Sequence, residues 1–209
     1  MKEIISFVRS RQPVNFIIVL MNVVVFLVLS VMGDTQDAVF MLNHGASWEP
    51  YILEYGEYYR LVTCIFLHFG IDHLFYNMLL LIFLGDSLEQ IVGKLRYLAI
   101  YLLGGVAGNI VSVWVSAGTE NYAVSAGASG AIFAVVGALL WIVIRNGGRL
   151  KGYSSQRLFL MAALTIVNGL TTTGVDNMAH IGGLAAGFLL GMLLYRKKAE
   201  EDFSKVSRP

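Results

Sequence analysis

Six stretches of the chain carry apolar side chains almost without interruption, at 14–32, 71–92, 95–115, 129–144, 158–170 and 177–195. Each approaches the ~20 residues that a helix needs to cross the hydrocarbon of a bilayer. The pattern predicts an all-α polytopic membrane protein of six transmembrane helices, one membrane domain over 1–209 with no room for a second folded unit. A short N-terminal segment and a basic C-terminal tail flank it. The first run is longer than the apolar core of a signal peptide and lacks a small-x-small cleavage site before Gly33, so it reads as a retained span.

The interruptions are as informative as the runs. Between the first two lies a long outer segment, 33–70, in which Asp34, Asp37, Glu49, Glu54 and Glu57 mix with Trp48, Tyr51, Tyr55, Tyr58 and Tyr59. Aromatics among acids suit the headgroup layer, so short interfacial helices are expected there. His44 reads as loop. The second run carries Asp72, His73 and Asn77, polar groups that at such depth face protein or water. His73 and Asn77 are four apart and share a helix face within about 40°. His68 stands beyond Gly70 and reads as a tie between the outer segment and the core.

Glu89 and Lys94, near the other end of the second run, read as interface anchors. Gly104, Gly105, Gly108 and Asn109 make a small face on the third run, Asn109 as a helix-to-helix hydrogen bond. The fifth run is the shortest and ends in Asn168, Gly169 and a Thr-rich turn. It is the candidate mobile helix, with Phe159 packing against the second span to gate lateral access. The sixth run places His180, Gly183, Gly187 and Gly191 on one face.

Composition and charge fix class and orientation. The chain is 56% hydrophobic and 14% charged with 22 glycines and a mean hydropathy of +0.67, which excludes an ordinary soluble domain. Of the 15 basic residues, Lys2, Arg9 and Arg11 precede the first run; Lys94 and Arg96 separate the second from the third. Arg145, Arg149, Lys151 and Arg157 separate the fourth from the fifth, and Arg196, Lys197, Lys198, Lys205 and Arg208 follow the sixth. Only Arg60 lies on the opposite side, so both termini are expected in the cytoplasm. The single cysteine, Cys64, permits no internal disulfide.

With that orientation the second, fourth and sixth runs all start at the outer face. His73, Ser129 and His180 therefore share one depth, at ~1.5 Å of rise per residue. Ser129 sits in Ser125-Ala126-Gly127-Ala128-Ser129-Gly130, a stretch that on its own reads as helix packing ahead of a nucleophile, and what reverses that order lies elsewhere in the chain. The glycine stripe of the sixth run, pressed on Gly130, Ala134 and Ala138 of the fourth, would bring His180 to Ser129, a base beside a weak nucleophile. His73, Asn77 and the Ser129 N–H could then face an oxyanion, and the Phe133 ring could hold the imidazole plane. Asp176 stands at the membrane edge, so a dyad is expected rather than a triad.

Other chemistries fit the residues less well. No His-Glu-x-x-His string is present for a metalloprotease. Asp72 and Asp176 lie at one face and Asp86 at the other, which does not make an aspartyl dyad. Cys64 with His68 is a possible thiol pair. No internal repeat supports a transporter.

These residues resemble the rhomboid family of intramembrane serine proteases. Gly127-Ala128-Ser129-Gly130 is similar to the family's nucleophile motif, His68, His73 and Asn77 to its His-x4-His-x3-Asn signature, and Ala179-His180-x-x-Gly183-x-x-x-Gly187 to its base helix. The resemblance implies Ser129 as nucleophile, His180 as general base, and His73 and Asn77 as oxyanion donors. It implies His68, Gly127, Gly130, Phe133, Gly183, Gly187 and Arg60 as structural support. Glu57-Tyr58-Tyr59-Arg60 is similar to the family's first outer loop, with Tyr59 where Trp is frequent, and Phe133 stands where Tyr is common. The implied activity is peptide-bond hydrolysis in single-span membrane protein substrates, near their outer ends and after small residues, from a site open to the outer side of the inner membrane. No metal, cofactor or nucleic acid is implied. A noncatalytic membrane chaperone or trafficking factor on the same scaffold is the second reading, and such relatives generally lack the Ser and His.

Overall fold

The computed structural model describes residues 11–119, 122–172 and 174–197. Lys2, Arg9, Thr173 and the tail with Lys198, Lys205 and Arg208 lie outside the described residues. Among the described residues four helical stretches are long and apolar enough to cross a membrane: Pro13–Met32, Gly70–Val92, Lys94–Thr119 and Asn177–Leu194. A shorter apolar helix, Ser129–Arg145, has 17 residues, as does the less apolar helix Ser155–Thr171.

Helix α1 (Pro13–Met32) opens on a proline, whose missing N–H costs nothing in a first turn. The next two amides do have a partner. Val14 N–H and Asn15 N–H donate to the two carboxylate oxygens of Glu89 at 3.2 and 2.7 Å. Glu89 is 1% exposed, so it is a buried cap of α1 rather than an interface anchor, its charge favoured by the helix dipole.

The 33–70 segment, read from the sequence as the outer segment, folds as α2 (Ala38–Asn43), α3 (Glu49–Leu53), α4 (Arg60–Thr63) and a 3₁₀ turn (Cys64–Phe66). Asp37 caps α2 by accepting from Phe40 N–H at 2.6 Å, and His44 ends it with Nδ1 against the Phe40 carbonyl. Arg60 staples the segment. Buried to 4% exposure, it donates to the carbonyls of Leu42 and Ala46 at 2.6 and 2.9 Å and to Glu57 at 2.5 Å. That guanidinium, then the Tyr59 hydroxyl, holds the Glu57 carboxyl below its ordinary range. A single antiparallel bridge joins Ser47 to Ser125, so the segment is tied to the loop that precedes Ser129.

The second apolar run is one rod in three parts: α5 (Gly70–Leu80), a π turn (Leu81–Gly85) and α6 (Asp86–Val92). The π turn lies where Asn15 approaches. Its Nδ2 donates to the Leu81 carbonyl at 2.9 Å and to Asp86 at 2.7 Å, and a Cβ on Gly85 would collide with Asn15. A side chain inserted into the helix ladder is a recognised cause of such a bulge.

Helix α7 (Lys94–Thr119) follows Gly93, whose φ of +87° turns the chain. Helix α8 (Ser129–Arg145) is central: residues 130–139 are all buried, as expected of a helix apolar all round. A two-stranded hairpin, β1 (Arg149–Leu150) with β2 (Tyr153–Ser154), leads to α9 (Ser155–Thr171). The Ser154 hydroxyl caps α9 by accepting from Arg157 N–H, so the fifth helix begins before its apolar run and matches α8 in length. Phe159 is 64% exposed on it, not packed against the second span. Helix α10 (Asn177–Leu194) closes the bundle against α7 and α8.

Candidate active site

Small residues set the approach of α10 to α8. A Cβ on Gly183 would strike the Gly130 carbonyl, one on Gly187 the Ala134 backbone, and one on Gly191 would lie 3.0 Å from the Ala138 Cα. Gly108 of α7 meets the Ala179 carbonyl in the same way. Backbones this close fix the register one turn at a time.

That register carries His180 to Ser129. Nε2 of His180 lies 2.8 Å from Ser129 Oγ, and the imidazole stacks on Phe133 with centroids 4.4 Å apart and planes 11° from parallel. His180 Nδ1 is buried with no hydrogen-bond partner among the described residues. No carboxylate therefore orients the ring, and the Phe133 stack takes that part.

Asp176 is committed elsewhere. It caps α10 by accepting from Ala179 N–H at 2.9 Å, and its other oxygen accepts from Ser112 and Ser125 hydroxyls, each at 2.7 Å. One carboxylate thus joins α7, the start of α10 and the loop before Ser129. Sequence reasoning placed Asp176 at the membrane edge and missed this junction. Its signal was there: an Asp three residues before Ala179 at a helix start.

The loop into α8 is equally constrained. Gly127 has φ +145°, and a Cβ there would lie 2.8 Å from His73 Cε1, so only glycine lets His73 come so near. Gly127 N–H donates to the Cys64 carbonyl at 2.9 Å, and Ala128 N–H to His68 Nε2 at 3.4 Å. His68 packs edge to face on His73; burial, then the neighbouring His73, pushes its imidazole down to about 3, so it is neutral at ordinary pH. Asn77 donates one amide N–H to the His73 carbonyl at 2.8 Å, one turn back, which leaves its second. Asn109 donates to the Leu61 carbonyl and to Cys64 Sγ, a bond to the outer segment rather than between spans. Burial pushes the Cys64 thiol up to about 12, so it carries no thiolate near neutral pH.

Ser129, His180, His73 and Asn77 all line one cavity of about 830 Å³, whose walls come from α5, α8, α9 and α10. At its floor a hydroxyl meets an imidazole; around it stand further donors. The amides of Ser129 and Gly130, in the first turn of α8, have no carbonyl within their own helix to pair with. Among the described residues no group of His, Cys, Asp and Glu is placed to hold a metal ion. Arg60 lies outside the cavity, acting on the outer segment alone.

Comparison with known proteins agrees over most of the chain. Residues 55–197 match the family described as Rhomboid domain. Rhomboid protease GluP of Bacillus subtilis (strain 168) is 32% identical over 197 residues, covering 94% of this chain and 38% of GluP. YdcA of the same strain is 32% identical over 197 residues, covering 92% of this chain and 94% of YdcA. RHOMBOID-like protein 5 of Arabidopsis thaliana is 40% identical over 152 residues, covering 70% and 47%. The chain thus spans less than half of GluP and of the plant protein, and nearly all of YdcA.

Proposed function

Because the chain belongs to the rhomboid family and is an integral membrane protein, we propose that it is an intramembrane serine protease with a Ser129–His180 dyad. The observation that carries this reading is the 2.8 Å contact of His180 Nε2 with Ser129 Oγ at a cavity. In the proposed step His180 Nε2 takes the Ser129 hydroxyl proton as Oγ attacks the scissile carbonyl carbon. The carbonyl oxygen becomes an oxyanion, facing the Ser129 N–H, the free amide N–H of Asn77 and the His73 ring. Collapse breaks the C–N bond as His180 returns the proton to the leaving amine, and water then hydrolyses the acyl-enzyme by the same route.

The proposed setting is six spans in one domain, with α8 and α9 as the fourth and fifth and both termini cytoplasmic. At ~1.5 Å per residue, the 17 residues of α8 reach ~25 Å, short of the ~30 Å hydrocarbon. Ser129 then lies below the outer membrane surface, and the cavity is the path for water. Substrates are single-span membrane proteins whose outer ends enter beside α9, the element that we propose moves. The test is labelling of membranes with a fluorophosphonate. Wild type should be labelled and Ser129→Ala and His180→Ala not. A wild-type chain that neither labels nor cleaves would favour the noncatalytic reading.

A further inference from the structure

At the opposite end of the bundle the hairpin between α8 and α9 builds a second cavity, of about 420 Å³, lined by Arg149, Lys151, Tyr153, Ser154 and Arg157 among others. Three cations and no carboxylate line it. Among the described residues the ion pairs are Arg11 with Asp86 and Arg60 with Glu57, so none of the three has a carboxylate partner. The start of α9 adds positive partial charge.

The cradle is held in shape. Tyr153 Oη bonds Ser87 Oγ at 2.7 Å and reaches the Phe83 carbonyl, which clamps the hairpin to the second span. Lys151 and Gly152 form a two-residue turn with φ +47° and +84°, as a type I′ turn requires. Its first position favours Asn, Asp or Gly. Lys151 is the positive-φ residue other than glycine among the described residues, and its Nζ donates to Gln90 Oε1 at 2.9 Å. A lysine kept where the turn disfavours a long side chain points to a use for its charge.

Position selects the ligand. The cavity sits where α6, α8 and α9 all end or begin, at the boundary of three apolar helices and so at headgroup depth. From Arg157, the side chains of Leu160, Leu164 and Val167 continue along one face of α9 at helical spacing, each more than half exposed. A cationic pocket that runs into an uncovered apolar stripe matches an amphiphile with an anionic head. We propose that this site binds an anionic phospholipid, its phosphate held by Arg149, Lys151 and Arg157 and an acyl chain lying on the Leu160–Val167 stripe.

The experiment is lipid titration of the detergent-solubilised full chain followed by native mass spectrometry, with phosphatidylglycerol and phosphatidylcholine as probes. Wild type should hold phosphatidylglycerol at least tenfold more tightly. Each basic group at a membrane surface contributes about a fivefold factor, so Arg149→Gln/Lys151→Gln/Arg157→Gln should weaken binding on the order of 100-fold. Lys94→Gln/Arg96→Gln, at the same end but outside the cavity, should change it less than threefold. Arg149→Lys/Arg157→Lys keeps the charge and should retain most of the affinity. The exposed single variant Arg157→Glu gives the same contrast without touching the turn, should the triple variant not fold. An equal loss in the Lys94/Arg96 control would mean diffuse surface attraction and overturn the site. Displacement of the lipid by equimolar inorganic phosphate would mean a soluble-anion pocket and overturn the lipid assignment. Neither readout depends on peptide hydrolysis.

Discussion

The bundle holds two polar clusters, one at each end, and they are built on opposite rules. The side chain of Asn15 is fully engaged: its Oδ1 accepts from Tyr97 at 2.5 Å, its Nδ2 serves Leu81 and Asp86, and beside it Glu89 takes two amides of α1. Around Ser129 the matching stops short. His180 Nδ1 and His68 Nδ1 have no partner among the described residues, and the Ser129–His180 pair opens on a cavity. A buried polar group left incompletely paired costs stability, and a saturated network returns it. The Asn15 cluster therefore locks α1 to α6 and α7, whereas the Ser129 cluster leaves hydrogen-bonding capacity unused beside a cavity, the capacity that the proposed mechanism draws on. Substitutions in the two clusters should separate stability from turnover.

The widest separation is at Ser129. Ser129→Ala should abolish cleavage of a membrane substrate, by a factor of ~10⁴ or more, while the unfolding temperature in detergent stays within a degree or two. A variant that melts early would make Ser129 part of the packing and erase the contrast. Asn77→Ala comes next. Loss of one oxyanion donor typically lowers turnover ~10²–10³-fold, roughly 3 to 4 kcal/mol, with apparent substrate affinity little changed because the bond forms in the transition state. Near-normal turnover in folded Asn77→Ala would confine that amide to its bond with the His73 carbonyl.

Glu89→Gln inverts the pattern. An amide has one acceptor oxygen, so one of the two α1 amides would lose its carboxylate partner and face an N–H₂ in a site 1% exposed. The expected cost is ~2 to 3 kcal/mol of stability, with the rate of fluorophosphonate labelling per folded molecule unchanged. Urea or thermal melts beside a labelling time course decide it. A slowed reaction with unchanged melting would mean that the two ends are coupled through the second span.

How much of this could be read from the chain follows from what kind of information each contact needs. The Ser129–His180 approach was legible because it depends on glycine spacing, which is periodic within each helix. Glu89 was read as an interface anchor because its partners are backbone amides 74 and 75 residues away, and every residue but proline has one. The π turn was hidden for the same reason: Asn15 causes it from another helix. Asp176 carried a local capping signal, yet its bonds to Ser112 and Ser125 are long-range. The fifth helix was taken as short because Ser155, Gln156 and Arg157 are polar, although Ser154 caps it and the helix needs no apolar start. Phe159 was expected inward, but periodicity alone does not say which face of an apolar helix meets lipid.

The smallest effect is expected at Cys64, whose thiol stands in the cavity wall as a rival nucleophile to Ser129. Its thiol is buried and pushed up to about 12, some five pH units above neutrality, so only ~10⁻⁵ of it is thiolate at pH 7. Cys64 Sγ also accepts from Asn109 Nδ2 at 3.0 Å, and it is the Cys64 carbonyl, not the side chain, that holds Gly127 N–H. Cys64→Ala keeps that carbonyl and removes only a small buried sulfur. Turnover should stay within about twofold, with a stability loss of ~1 kcal/mol from the vacated volume and the unpaired Asn109 donor. Alkylation by iodoacetamide should likewise be slow in the folded protein and fast in denaturant. The sign of its pH dependence is fixed: the unfolded thiol ionises near 9 and the folded one near 12, so this contribution to stability is intact below pH 9 and lost as pH rises toward 12. If Cys64→Ala lost the cleavage that Ser129→Ala retained, the nucleophile would have to be reassigned to sulfur and the comparison of the two clusters redrawn around it.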